Sequence, residues 1–268
     1  MNTSCSTQFN YFDSWQFQAT VSHILAIVTL PFNLFGGYCI VYKTPRHRGS
    51  AKWYLLHLHS WTVISDILIA GLLTPYMFFP VLVGIPAGLL SWIGIDIGFQ
   101  VFLAQLGLGG LATSIVMIFE NRHNNLVRGR FKIEMEWIRY TYYCVNGIYS
   151  ILFLLPCYFR IPDPIPAKLL LLKVILPCPH PDYFLDTVFV FSMDISSVTG
   201  TAGIYLIFMC VQVIGLCAHS LFYLSNLNKL MSQSTKKLQR KFFVDMIFQV
   251  SYLILSYEIS EMEQDVIR

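Results

Sequence analysis

Long runs of apolar residues alternate with short polar connections along most of this 268-residue chain. A membrane-spanning helix needs roughly 17–25 predominantly apolar residues, because the hydrocarbon core is about 30 Å thick and a helix rises about 1.5 Å per residue. Five runs reach that length and a sixth is marginal. The pattern predicts spans at about 18–42, 53–81, 91–119, 137–159 and 187–223, followed by a shorter stretch at 242–257.

The composition supports a membrane fold. The chain is 55% hydrophobic and 12% charged, whereas soluble domains carry about 25% charged residues. We therefore predict an all-α integral membrane protein with five clear spans, a marginal sixth and no seventh. One polytopic domain covers 1–268, with an N-terminal segment at 1–17, a helix bundle at 18–257 and an acidic tail at 258–268. Six prolines in the connection 160–186 predict that no regular helix forms there.

Lysine and arginine are concentrated in every second connection. The connections 43–52, 122–139 and 229–241 hold 14 of the 18 Lys and Arg residues. Since positively charged connections stay on the cytoplasmic side, the N-terminus is predicted to face outside. We expect a multi-pass protein of the plasma membrane. The net charge of +3 hides this asymmetry and gives no reason to expect a nucleic-acid partner.

Several local motifs occur in a fixed order along these spans. They are PFNLFGGYCI at 31–40, KTP at 43–45, WYLLHLHSW at 53–61, FENR at 119–122 and MSQSTKKLQRKFF at 231–243. Together with the predicted topology they closely resemble the nematode chemoreceptors of serpentine receptor class H (Srh), a branch of the seven-transmembrane G-protein-coupled receptors. The resemblance covers about residues 10–250.

The resemblance implies a rhodopsin-like helix bundle that acts as a chemosensory receptor. Its partners would be a small external ligand, a heterotrimeric G protein and membrane lipid, in the plasma membrane of sensory neurons, and an oligomer is left open. Family members continue through a seventh helix, and no seventh span is expected here, so a truncated, non-signalling receptor-like protein is the alternative. A small transporter or channel subunit is a third hypothesis, which would need charged spans or broken helices in matching halves.

The end of the third predicted span carries the first candidate site. Glu120, Asn121 and Arg122 resemble a variant of the acid–Arg–aromatic motif of rhodopsin-like receptors. An arginine held by a carboxylate and released toward a G protein would act as a switch, and Glu120→Gln is then expected to raise basal signalling. The alternative is that Arg122 is one more interfacial anchor.

A second cytoplasmic candidate precedes the sixth stretch. Lys236, Lys237, Arg240 and Lys241 would share one face of a helix. This basic face would contact either the G protein or the anionic lipid of the inner leaflet, and both roles are compatible.

The outer halves of the third and fifth spans supply the candidate ligand pocket. Asp96 and Asp194 would meet a cationic ligand there, although wetting by the outer interface explains them equally well. The other residues assigned to this pocket are Trp92, Phe99, Gln100 and Phe191. The aromatic members are also typical of the belt of aromatic residues at a membrane interface.

Asp66 is the charged residue deepest in the second predicted span. It lies 13 residues beyond Trp53, about 20 Å along a helix. A carboxylate there costs roughly 2.5–3.5 kcal/mol on insertion scales and should face the bundle. Asp66 is either an ion- or proton-linked regulatory residue or a hydrogen-bonded packing residue.

Two covalent modifications are expected on the outer side. Cys5 and Cys178 are the two cysteines predicted to face the oxidising compartment, where a disulfide is permitted. Asn2 begins an N-glycosylation sequon. The other five cysteines lie in predicted spans and are expected to be free.

The sequence holds no catalytic or metal-binding motif of the HExxH, GxSxG or Walker type. We therefore expect no enzymatic activity, cofactor or metal. Glycines at 107, 109 and 110 in the third span predict a close approach between helices.

Overall fold

The computed structural model describes residues 10–44, 49–78, 81–127, 131–174 and 179–226, with the single residues 237, 241 and 244. Its longer helices are α1 (Trp15–Tyr38), α2 (Gly49–Asp66), α4 (Ile97–Leu126), α5 (Glu136–Leu152), α7 (Pro164–Val174) and α8 (Ile195–Asn226). Two short helices are α3 (Leu89–Trp92) and α6 (Leu155–Tyr158). The strands are β1 (Pro75–Met77), β2 (Leu82–Pro86) and β3 (Phe189–Ser192), and 3-10 turns occur at Tyr11–Asp13 and Pro181–Phe184.

Four helices in the described part of the chain are long and apolar enough to cross a membrane. π-Helical turns at Cys39–Lys43 and Ile67–Leu73 extend the first two of them. The four are Trp15–Lys43, Ala51–Leu73, Ile97–Leu126 and Ile195–Asn226. They confirm the first, second, third and fifth predicted spans, and the protein is an α-helical membrane bundle.

The other two predicted spans have different outcomes. The fourth is divided between α5, which has 17 residues, and the four-residue α6. The sixth stretch lies almost entirely outside the described residues.

The second span ends earlier than the sequence predicted. The helix stops at Leu73, and Thr74 adopts a left-handed conformation with φ of 40°. Pro75 explains the break, because the residue before a proline is disfavoured in the α region. The chain then continues as β1 instead of a helix to Val81.

Three short strands close one end of the bundle, which we call the sheet end. They form an antiparallel sheet in the order β1-β2-β3. Tyr76 pairs with Ile85, and Val83 pairs with Val190. The sequence analysis predicted only helices and irregular links here. The period-two pattern was missed because these strands are three to five residues long.

Two aspartates set where the helices leave the sheet end. The Asp96 carboxylate accepts from the Phe99 N–H at 3.0 Å, and the Asp194 carboxylate accepts from the Ser197 N–H at 3.3 Å. Each satisfies an amide that has no partner within its helix. α4 therefore starts at Ile97, and α8 starts at Ile195.

The proline-rich connection contains a regular helix, so the prediction that none forms there is wrong. Pro164 and Pro166 lie in the first turn of α7, where a backbone N–H has no acceptor within the helix. Ala167 and Leu171 of α7 are buried in a core cluster with Val83 and Val190 of the sheet.

α4 is the central helix and packs against α2, α5 and α8. Gly109 and Gly110 allow the close approach, since a Cβ atom on Gly110 would lie 2.3 Å from the Trp61 ring and one on Gly109 would lie 2.8 Å from Ser150 Cβ. The glycines of α4 thus confirm the predicted helix contact. On the α8 side, Phe119 is buried with Met209 in an apolar cluster.

Candidate functional site

The end of the bundle opposite the sheet, which we call the loop end, holds an ion pair between two helices. The Arg139 guanidinium on α5 donates to the Glu120 carboxylate on α4 in a two-point arrangement, with Nε–Oε1 2.9 Å and Nη2–Oε2 2.8 Å. The Glu120 side chain is 2% exposed and that of Arg139 is 17% exposed. A buried carboxylate is tolerated because both of its oxygens accept charge-assisted hydrogen bonds.

Three more polar residues surround this pair. The Tyr143 hydroxyl donates to Glu120, and Arg139 Nη2 also donates to Asn121 Oδ1 at 3.1 Å. Tyr54 on α2 joins the network through its hydroxyl, 3.3 Å from that of Tyr143. The five side chains, which we call the Glu120 network, tie α2, α4 and α5 together at the loop end.

Sequence reasoning identified Glu120 and Asn121 but missed Arg139. Arg139 was counted only as a positive residue of a cytoplasmic connection. A signal was present, because an arginine within the first turn of an apolar helix reaches a partner, an aqueous cavity or the membrane interface. The partner could not be read from the sequence, since Glu120 is 19 residues away on another helix.

A directional chain of hydrogen bonds joins α2 to α4 farther from the loop end. The Trp61 N–H donates to His57 Nε2 at 3.3 Å, which leaves Nδ1 as the protonated nitrogen of a neutral ring. His57 Nδ1 then donates to Ser114 Oγ at 2.9 Å, and Ser114 donates to the Gly110 carbonyl at 2.6 Å. These hydrogen bonds hold α2 against α4, the two helices that the Glu120 network also joins at the loop end.

The Asn124 side chain binds the connection between α4 and α5 at both polar groups of Ile133. Asn124 Oδ1 accepts from the Ile133 N–H at 2.7 Å, and Asn124 Nδ2 donates to the Ile133 carbonyl at 3.0 Å. Nearby, His123 of α4 and His219 of α8 lie 2.7 Å apart through Nε2 and Nδ1. Phe131 packs on the His219 ring with centroids 5.0 Å apart.

Asn124→Ala is expected to release this connection, at a cost of about 1 kcal/mol because the Ile133 peptide can reach water. The measurement is hydrogen–deuterium exchange of residues 131–135 in detergent, where the Ile133 amide should exchange several times faster. Asn125→Ala is the matched control, since Asn125 is exposed and, among the described residues, its amide hydrogen-bonds Asn121 of its own helix. Equal exchange in the two variants would contradict the assigned clamp.

A cavity of about 210 Å³, which we call the sheet-end cavity, lies between α4 and the three strands. Gln100 and Phe191, two of the residues predicted for a ligand pocket, line it. Gln100 is bound on both ends of its carboxamide, donating to the Ile95 carbonyl at 2.9 Å and accepting from Ser91 Oγ at 3.2 Å.

The structure does not place the other four predicted pocket residues in this cavity. Trp92 and Phe99 are exposed, and neither is among its lining residues. Asp96 and Asp194 serve as the helix caps described above. Of the six predicted pocket residues, only Gln100 and Phe191 line this cavity.

A larger cavity of about 960 Å³ lies between α2, α4 and α5. Its wall at the loop end includes Tyr54, Arg139 and Tyr143, and its other end is bounded by Leu106 and Ile151. The Glu120 network is therefore reached from a large cavity on the α2–α4–α5 side of the bundle.

Comparison with known proteins assigns the family. A family model described as "Serpentine type 7TM GPCR chemoreceptor Srh" matches residues 13–259, which covers most of the chain. The chain belongs to the Srh family. It is also similar to Serpentine receptor class H-72 of Caenorhabditis elegans, at 25% identity over 255 residues that cover 92% of this chain and 72% of the relative. No solved structure matches the chain.

The Srh match includes both the Glu120 network and the sheet-end cavity. It confirms the resemblance noted from the motifs and establishes a multi-pass membrane protein of a chemoreceptor family that is not normally enzymatic. Among the described residues of this Srh chain, no group of three or more His, Cys, Asp or Glu side chains could hold a metal ion.

Asp66 has a polar partner inside the Srh bundle. Asn33 Nδ2 on α1 donates to Asp66 Oδ2 at 3.1 Å, and the Asn33 carbonyl accepts from His59 Nε2 at 2.8 Å. The hydrogen bond from Asn33 to Asp66 joins α1 to α2.

The remaining predicted sites are only partly described. Arg122 is half-buried on α4, and Lys237 is an exposed helical residue. Five cysteines carry free thiols in the described ranges: Cys39, Cys144, Cys157, Cys210 and Cys217. The predicted sites that lie outside the described residues are Lys236, Arg240, Asn2 and the Cys5–Cys178 pair.

Proposed function

We propose that this Srh family member is a chemosensory receptor of the plasma membrane of sensory neurons, with its N-terminus outside. A small external ligand would bind at the sheet end, and a heterotrimeric G protein would bind at the loop end. The observation that carries the proposal is the course of α4. This one helix lines the sheet-end cavity at Gln100 and enters the Glu120 network 20 residues later, about 30 Å away.

A ligand acts on such a bundle by binding one arrangement of the helices better than another. At the loop end, the Glu120 carboxylate is engaged by Arg139 on both oxygens. The restraint that keeps the bundle inactive would therefore be the α4–α5 ion pair, instead of the Glu120–Arg122 contact expected from the motif. Movement of α4 relative to α5 would strain this pair. In the active arrangement of the helices, Arg122 would contact the G protein.

The basic segment before the sixth stretch is a second reason to expect G-protein contact at the loop end. Lys237 and Lys241 are exposed. Cationic side chains there would also be attracted to anionic lipid of the inner leaflet, at roughly 1 kcal/mol for each charge near the surface.

The test is guanine-nucleotide exchange on a purified heterotrimeric G protein, with the full chain reconstituted in lipid nanodiscs. The receptor should accelerate exchange over empty nanodiscs, and Arg122→Ala should lower that acceleration by about tenfold, the loss expected for one charge-assisted hydrogen bond. Lys132→Ala is the matched control, because Lys132 is an exposed cation of the neighbouring connection.

Two results would contradict the proposal. Equal exchange with the unaltered chain and with empty nanodiscs, across a panel of neutral and charged small molecules, would exclude G-protein coupling. Equal losses for Arg122→Ala and Lys132→Ala would remove the specific role of Arg122.

A further inference from the structure

The sheet-end cavity is lined almost entirely by apolar groups. One wall is α4, with Val101 and Ala104, and the facing wall is the sheet, with Leu82 and Phe189. Among the described residues that line it, Gln100 is the only one with a polar side chain.

Gln100 does not offer a strong polar contact. The residue is 2% exposed, and both ends of its carboxamide are already bonded to Ile95 and Ser91. The two acidic residues nearest in the sequence, Asp96 and Asp194, accept from helix amides. A charged ligand in this cavity would lose its hydration without gaining a partner, so the lining excludes it.

The volume limits the size of the occupant. An apolar protein cavity of about 150 Å³ stays dry and binds benzene. The sheet-end cavity has about 210 Å³, so it has room for roughly one and a half times that volume. A molecule of about six to nine non-hydrogen atoms fits without displacing the walls.

We propose that the sheet-end cavity binds an uncharged, largely apolar molecule of about six to nine non-hydrogen atoms. The proposal rests on the receptor function proposed above, and it replaces the cationic ligand that Asp96 and Asp194 suggested in the sequence. The cavity selects by size and by absence of charge, since its walls supply contact area and no free polar anchor.

Direct binding tests this with the full chain in nanodiscs and three fluorine-19 NMR probes. Fluorobenzene should bind saturably. A fluorobenzylammonium cation of similar size should not bind, and 1-fluoronaphthalene should bind at least about tenfold more weakly, because excess volume in a packed site is penalised. Empty nanodiscs report partition into lipid and are subtracted.

Two substitutions on α4 should change the volume of the sheet-end cavity in opposite directions. Ala104→Leu fills the cavity and should weaken fluorobenzene binding by about tenfold or more. Val101→Ala enlarges it and should strengthen binding of 1-fluoronaphthalene relative to fluorobenzene. Leu108→Ala is the control for truncation, because Leu108 is exposed on the same helix and does not line the cavity.

The outcomes separate this inference from the receptor function. Fluorobenzene binding that is unchanged by Ala104→Leu, or equal binding of the ammonium cation, overturns the inference. Nucleotide exchange driven by a charged or larger molecule, without fluorobenzene binding, overturns it while leaving G-protein coupling intact. Size-selective binding with no exchange under any condition supports the cavity assignment and contradicts the receptor function.

Discussion

Glu120→Gln and Arg139→Gln are each expected to destabilise the folded chain by about 3–5 kcal/mol, because each leaves the other residue of a buried ion pair without its counter-charge. Glu120 is almost fully buried, and its carboxylate also accepts from Tyr143. The measurement is thermal unfolding of the purified chain in detergent, in which the readout is the fraction of protein that remains monodisperse after heating.

The double variant Glu120→Gln/Arg139→Gln separates the contribution of the ion pair from that of the other contacts of the two side chains. Two neutral amides can hydrogen-bond each other, so the double variant should lose clearly less stability than the sum of the single losses. Tyr143→Phe removes one neutral donor from the same carboxylate and should cost less, about 1–3 kcal/mol. Additive losses in the double variant would show that the ion pair is not the unit of stability.

The same variants also report on the proposed receptor function. If the Glu120–Arg139 pair restrains the bundle, both single variants should raise basal nucleotide exchange in the protein that remains folded. An increase with Glu120→Gln alone would instead favour the contact between Glu120 and Arg122 expected from the motif.

Gly110→Leu is expected to separate α2 from α4 and to cost about 3 kcal/mol, the upper part of the usual range for overpacking. Even the first added carbon would lie 2.3 Å from the Trp61 ring. Rotation of that ring would also break the hydrogen bond from its N–H to His57. Thermal unfolding in detergent measures the loss.

Gly147→Leu is the matched control for this prediction. Gly147 is also inside a helix, but a Cβ atom there would meet nothing within 4 Å. Replacing it should leave stability unchanged or raise it, since glycine is a poor helix former. The combination Gly110→Leu/Trp61→Ala should recover part of the loss. Equal losses for the two glycine variants would contradict a steric contact at Gly110.

Hydropathy located the long helices well and their ends poorly. The spans are selected by length and apolar content, which a sequence displays directly. Their boundaries depend on local chemistry that the hydropathy pattern ignores: Pro75 stops one helix, and Asp96 and Asp194 start two others. Read as N-cap residues, the two aspartates would have placed the starts of α4 and α8 correctly.

The candidate sites also divide into residues that the sequence identifies and residues that only the packing of the helices identifies. Glu120 could be found from its motif, because it lies in a short conspicuous segment at the end of an apolar run. Its partner Arg139 could not, because the pairing depends on how α4 and α5 pack. For Asp96 and Asp194, a carboxylate near the outer interface suits both a ligand and a helix cap, and only the position of the backbone amides decides between these roles.

The three-stranded sheet has a consequence for how the chain is made. β1 and β2 are neighbours in sequence, but Val83 pairs with Val190, which is synthesised 107 residues later. At about 5–20 residues per second, the edge of β2 waits about 5–20 s for its partner on a ribosome. An unpaired strand edge is a site for wrong pairing, so β3 completes the sheet end only after α4 to α7 have been delivered to the membrane. The sheet is therefore completed late in synthesis, when β3 at the start of the fifth predicted span pairs with β2 in the connection between the second and third predicted spans.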